Sequence, residues 1–136
     1  MNKKVQTLKE DFIEAVQSFK KKDFKNAEIV CYKILSIDPN NFDSISLLAT
    51  ISAVKGNYDN AKELTIKALE IRPKDTGALN NLGTAYKELG KLKEATNIYK
   101  KVLTINIVTS ILIFIASFLY FAFMFYVLFV LKASPL

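Results

Sequence analysis

The chain has 136 residues, 51% of them apolar, with 19 Lys+Arg against 13 Asp+Glu and no His. The lack of His and the single Cys exclude His- or Cys-based metal sites, an internal disulfide and Ser–His–Asp or Cys–His catalysis. The four glycines stand apart, so there is no glycine-rich phosphate loop. No cofactor, metal or small-molecule substrate is expected, and the chain is expected to be non-catalytic.

In chain order, apolar residues recur at helical spacing, which predicts helices near 5–21, 24–37, 42–55, 58–71 and 76–89 and a sixth from about 92. Aligning Pro39 with Pro73 gives a period of 34 residues, with repeats at 8–41, 42–75 and 76–106. In that frame Ala15, Ala49 and Gly83 coincide, as do Ala27, Ala61 and Ala95, then Phe24, Tyr58 and Leu92, and Leu35, Leu69 and Leu103. Small residues at two fixed positions let the helices of a pair approach closely. Lys55-Gly56-Asn57 is a turn in which Gly supplies the positive φ that ends a helix. Pro39 and Pro73 separate one repeat from the next. Repeat one departs from the pattern at its start, where Asp11 and Glu14 stand at positions expected to be large and apolar.

Leu79, Leu82-Gly83, Tyr86, Gly90, Ala95 and Tyr99 of repeat three, with Leu48-Ala49, Gly56-Asn57-Tyr58, Ala61 and Pro73 of repeat two, resemble the tetratricopeptide repeat (TPR). The resemblance covers residues 8–106 and implies an all-α fold. That fold is a helix-turn-helix TPR solenoid of about six antiparallel helices, here followed by a single transmembrane helix. It also implies a protein or peptide ligand held in a groove lined by the first helix of each pair. On repeat one the groove positions are Lys9, Phe12, Ile13, Val16, Phe19 and Lys20. Repeat two supplies Asp43, Ser46, Leu47, Thr50, Ala53 and Val54, and repeat three Gly77, Asn80, Asn81, Thr84, Lys87 and Glu88. The candidate peptide-binding residues among them are Phe12, Ile13, Val16, Leu47, Thr50, Asn80, Asn81 and Thr84. TPR domains that bind chaperone tails use a carboxylate clamp of Lys, Asn and Arg. Phe12, Val16, Leu47, Gly77 and Asn81 stand at the corresponding positions, so the clamp is absent. Asn80-Asn81-Leu82-Gly83 resembles the repeats of O-linked N-acetylglucosamine transferases, in which successive asparagines grip a substrate backbone; only Asn81 keeps that position here.

Two smaller features have structural readings. Cys31 falls in the apolar stripe of a second helix, as a small core residue. Lys20-Lys21-Lys22 closes the first helix, where cations meet the negative end of its dipole. Arg72 is the only arginine, which supplies phosphate recognition poorly, so no nucleic-acid partner is expected.

Residues 107–131 carry no charge, and only Thr109, Ser110 and Ser117 among them are not apolar. As a helix they would span about 37 Å against about 30 Å of hydrocarbon. No Gly or Pro intervenes between Gly90 and Pro135, so the sixth helix can run straight into this segment. We therefore expect domains at 1–106 (repeats), 107–131 (membrane span in a lipid bilayer) and 132–136 (a short tail). Lys91, Lys93, Lys100 and Lys101 flank one side of the span and Lys132 stands alone on the other. The positive-inside rule then puts the repeats in the cytoplasm and the C-terminus across a single-pass membrane. The N-terminal residues show no apolar signal core. Ala116, Ser117 and Ala122 do not form a small-xxx-small motif. A second reading takes the abrupt change at Ile107 as a frame slip, the repeats then being the N-terminal part of a larger glycosyltransferase or sulfotransferase-type protein.

Overall fold

The computed structural model describes residues 3–133, with side chains from 5 to 132. Six helices follow in order: α1 (Lys3–Lys20), α2 (Phe24–Ile37), α3 (Phe42–Val54), α4 (Tyr58–Ile71), α5 (Thr76–Glu88) and α6 (Leu92–Ala133). There is no strand among the described residues. The first five helices and the start of the sixth pair as the 34-residue period requires. This is the all-α TPR solenoid expected from sequence. Of the residues 132–136 set apart there, Lys132 and Ala133 continue α6 and 134–136 lie outside the described residues.

The period is visible in hydrogen bonds as well as in residue types. Each first helix ends with a residue in the left-handed region, Lys22 (φ 62°), Gly56 (φ 77°) and Gly90 (φ 74°), spaced 34 apart. The next amide donates back to the carbonyl five residues earlier: Asp23 to Ser18 at 2.9 Å, Asn57 to Ser52 at 2.9 Å and Lys91 to Tyr86 at 2.8 Å. This is the double closure of a Schellman turn, which satisfies carbonyls that a helix end leaves free. The helix that follows is capped by the same residue in two repeats. Asp23 accepts from the Asn26 amide at 3.1 Å and Asn57 from the Asn60 amide at 3.2 Å. Between repeats the caps are Asn41 and Asp75, which accept from Ser44 and Ala78. An N-cap of this kind contributes about 1 kcal/mol.

Packing follows the small residues. Ala15, Ala27, Ala49, Ala61 and Ala95 are all buried. At Gly83 a Cβ atom would come 2.5 Å from Cε1 of the Tyr99 ring, so only glycine fits without moving that ring. One core cluster joins Ala15, Val30, Cys31, Ile34 and Leu48, and a second joins Phe42, Ile45, Ala68 and Ala78, with Leu35 and Leu64 touching both. Full burial of such a side chain contributes about 1.5–3 kcal/mol; Leu35 and Leu64, partly buried, contribute less each and tie each repeat to the next. Asp11 is buried with them at 9% exposure; its Oδ1 accepts from Lys33 Nζ at 2.8 Å.

The described residues divide into two compact units, one ending at Val102 and one beginning at Leu103. The second unit is helical throughout. From Asn106 to Lys132 every side chain is exposed except Val127, which is half-buried. α6 contains a stretch long and apolar enough, by length and composition, to cross a membrane.

Candidate functional site

Two hollows of the first unit take in part of the groove residues. The first, of about 320 Å³, lies between repeats two and three and is lined by Ala49, Thr50, Ala53 and Val54 of α3, Tyr58, Ala61 and Thr65 of α4, and Asn81, Thr84 and Glu88 of α5. The small residues that bring α3 and α4 together, Ala49 and Ala61, form part of its floor, so the packing rule of the repeat also shapes the hollow. The second, of about 470 Å³, is formed by Val5, Leu8, Lys9, Phe12 and Ile13 of α1 with Asp38, Asn41 and Asp43 at the junction of repeats one and two.

Thr50, Asn81 and Thr84 thus share the first hollow, and Phe12 and Ile13 share the second. Val16, Leu47 and Asn80 line neither hollow. Leu47 is partly buried and packs, like Phe12, against the first core cluster; Val16 is half-buried and Asn80 exposed. Tyr58, Ala61 and Thr65 had no place in a groove expected to be built from first helices alone. The signal that could have found them is their adjacency to Lys55-Gly56-Asn57: a short turn brings the start of α4 back beside the end of α3.

The polar groups of the first hollow differ in availability. Thr50 Oγ1 donates to the Ser46 carbonyl at 2.9 Å and Thr84 Oγ1 to the Asn80 carbonyl at 3.0 Å, so both hydroxyls are engaged by their own helices. Thr84 Oγ1 also lies 3.4 Å from the Tyr99 hydroxyl. Glu88 is 3.4 Å from Lys87 Nζ. The Asn81 amide has no side-chain hydrogen bond among the described residues, which leaves one donor group and one acceptor to meet a ligand. An amide offering both complements a peptide backbone, which presents the same pair.

Two other groups of interest are structural. Cys31 is fully buried, and its burial, with Glu28 nearby, pushes the thiol up to about 11, the opposite of what a reactive thiolate requires. A hydrogen bond recurs between pairs at the same frame positions: Asn26 Nδ2 donates to Ser18 Oγ and Asn60 Nδ2 to Ser52 Oγ, both at 2.8 Å. These bonds hold each second helix against the first in repeats one and two. Repeat three has Tyr86 and Glu94 at those positions.

Comparison with known proteins agrees with this architecture. The sequence model of a family described as anaphase-promoting complex, cyclosome, subunit 3 matches residues 20–102. The UDP-N-acetylglucosamine–peptide N-acetylglucosaminyltransferase of Caenorhabditis elegans is 30% identical over 90 residues, which are 66% of this chain and 8% of that protein. Uncharacterized protein ycf37 of Pyropia yezoensis is 38% identical over 79 residues, 56% of this chain and 44% of that protein. The chain therefore spans less than half the length of either relative. Among solved structures, the second TPR of Spaghetti (RPAP3), bound to the HSP90 peptide SRMEEVD, superposes with a TM-score of 0.69 at 22% identity, covering 74% of this chain and 93% of that one.

Proposed function

We propose a function for this chain, which belongs to the anaphase-promoting complex, cyclosome, subunit 3 family of TPR-like repeat proteins: it is a non-catalytic adaptor that holds a peptide segment of a partner protein near a membrane. The observation that carries the peptide reading is the hollow of Thr50, Val54, Tyr58, Asn81, Thr84 and Glu88, with an unengaged amide in an otherwise largely apolar lining. Such a surface favours an extended segment with an apolar side chain in the hollow and its backbone against Asn81. The domain boundaries follow this reading: repeats in 1–106, a span in 107–131 and a tail from 132. The exposed, uncharged run of α6 supports anchoring, and the lysines before it support a cytoplasmic face for the repeats. Confinement near the membrane raises the effective concentration of partners held there.

The reading as part of a transferase is less well supported. It draws on a 30% identity confined to 8% of the transferase's length.

Selection of peptides from a random library on the detergent-solubilised full chain tests the groove. The chosen peptides are expected to bind Asn81→Ala about tenfold more weakly, the worth of one or two lost hydrogen bonds. An acidic tail such as SRMEEVD is expected not to bind, since Phe12, Val16, Leu47 and Gly77 leave four of the five clamp positions unable to hold a carboxylate. Equal binding of selected peptides to the wild type and Asn81→Ala would remove Asn81 from the site.

A further inference from the structure

Within the second unit, Asn106, Ser110, Ile113, Ser117, Tyr120 and Met124 follow one another at alternating steps of four and three residues. At 100° per residue they form one stripe along α6, the heptad seam along which two helices pack with a left-handed supercoil. Asn106, Ser110 and Ser117 all fall on it. The opposite face, Val108, Ile115, Leu119 and Ala122, has no polar group except at Tyr126.

Thr109, just off the stripe, directs its hydroxyl to its own helix, donating to the carbonyls of Ile105 at 3.1 Å and Asn106 at 2.9 Å. Among the described residues, the side chains of Asn106, Ser110 and Ser117 show no such bond. In a bilayer, Ser117 would lie about 15 Å inside the hydrocarbon, near its middle. A polar group there has no water to turn to and is stabilised by a polar partner on another helix.

We infer that α6 pairs in parallel with α6 of a second copy of this chain, through Asn106, Ser110 and Ser117. This rests on the membrane reading above, and the membrane is also what selects the partner. Copies inserted the same way place identical residues at identical depths, so each polar group meets its own counterpart. Amides and hydroxyls both donate and accept, so like can bond to like across a two-fold axis. A row of charges could not. Pairing would tether two repeat domains to one membrane as a dimer, so that a partner with two copies of the bound segment is held more firmly than by either alone.

Cysteine scanning of the full chain in native membranes tests this. Single substitutions Asn106→Cys, Ser110→Cys, Ile113→Cys and Ser117→Cys are oxidised with copper-phenanthroline beside Val108→Cys, Ile115→Cys and Leu119→Cys. Cys31 stays in place, being fully buried. Dimer yield on the stripe is expected to exceed that on the opposite face at least about fivefold, and Ser117→Ala in the Ile113→Cys chain is expected to lower its yield about fivefold, the worth of one interhelical hydrogen bond in lipid. Yields that are flat around the helix, or that peak on the opposite face, overturn the pairing, as does an unchanged yield with Ser117→Ala. The same membranes are washed in alkaline carbonate. Retention with flat yields defeats the dimer and leaves the anchor standing, whereas release of the chain defeats both.

Discussion

Asp11 shows how one residue can depart from the repeat and still be held. It occupies the frame position of Ile45 and Leu79, both essentially inaccessible. Its Oδ1 is paired with Lys33, but Oδ2 is buried without a partner. Removing a half-satisfied buried carboxylate in favour of an apolar side chain is often neutral or stabilising, whereas removing its partner strands the charge. Asp11→Leu is therefore expected to gain on the order of 1 kcal/mol and Lys33→Met to lower the melting temperature. The hydrogen bond to Asp11, with the surrounding carboxylates, raises the Lys33 pKa above its usual 10.5 despite some desolvation. A folded value above the unfolded one means that this contribution is complete below about 10.5 and fades as pH rises through the higher folded value. The melting difference between wild type and Lys33→Met should hold steady around neutrality and narrow in strong alkali. A difference that grows with pH would show that Lys33 acts otherwise. Gly83 is the converse case, a departure in size rather than charge: its missing side chain is the space that the Tyr99 ring occupies.

At the scale of elements, the turn inside each repeat is the most regular feature of the protein and also the place where one repeat is strained. Gly56 and Gly90 take the left-handed conformation at no steric cost, while Lys22 takes it with a side chain. Lys22→Gly should stabilise the fold by about 0.5–1 kcal/mol, because the strain relieved exceeds the added freedom of the unfolded chain. Thermal unfolding of the full chain in detergent measures this, and a lower midpoint for Lys22→Gly would mean that the lysine makes a contact worth more than its strain. The helices and this turn were legible in sequence because they depend on local, periodic signals: Ala15, Ala49 and Gly83 in one column, Gly56 and Gly90 in another. Side-chain bridges that repeat only once are harder to see. Ser18–Asn26 and Ser52–Asn60 coincide in the 34-residue frame, but neither residue type announces a contact eight positions away. The hollow was half legible for a related reason. Thr50, Asn81 and Thr84 follow from the family's groove positions, whereas Tyr58, Ala61 and Thr65 enter through the angle at which α4 returns against α3. Asp11 could be flagged as misplaced; that Lys33 lies close enough to hold it is a fact of three-dimensional packing.

The whole molecule joins a solenoid with a shared core to a helix whose side chains are apolar on nearly every side. The solenoid's apolar residues are largely answered by other residues of the chain, as Leu35 and Leu64 are by the two clusters they bridge. Those of residues 107–131 are not: Phe114, Phe121 and Phe125 are all more than 70% exposed. So much apolar surface on a soluble monomer would drive aggregation, and lipid is the environment that suits it all round. In the adaptor proposed above the two materials would have separate tasks, recognition in the repeats and placement in the tail. Alkaline-carbonate extraction of membranes from cells making the full chain, beside a chain ending at Asn106, tests that division most directly. The account predicts that the full chain stays in the membrane pellet while the shortened one is soluble, helical and cooperatively folded. Recovery of the full chain in the supernatant, folded and free of lipid, would contradict it.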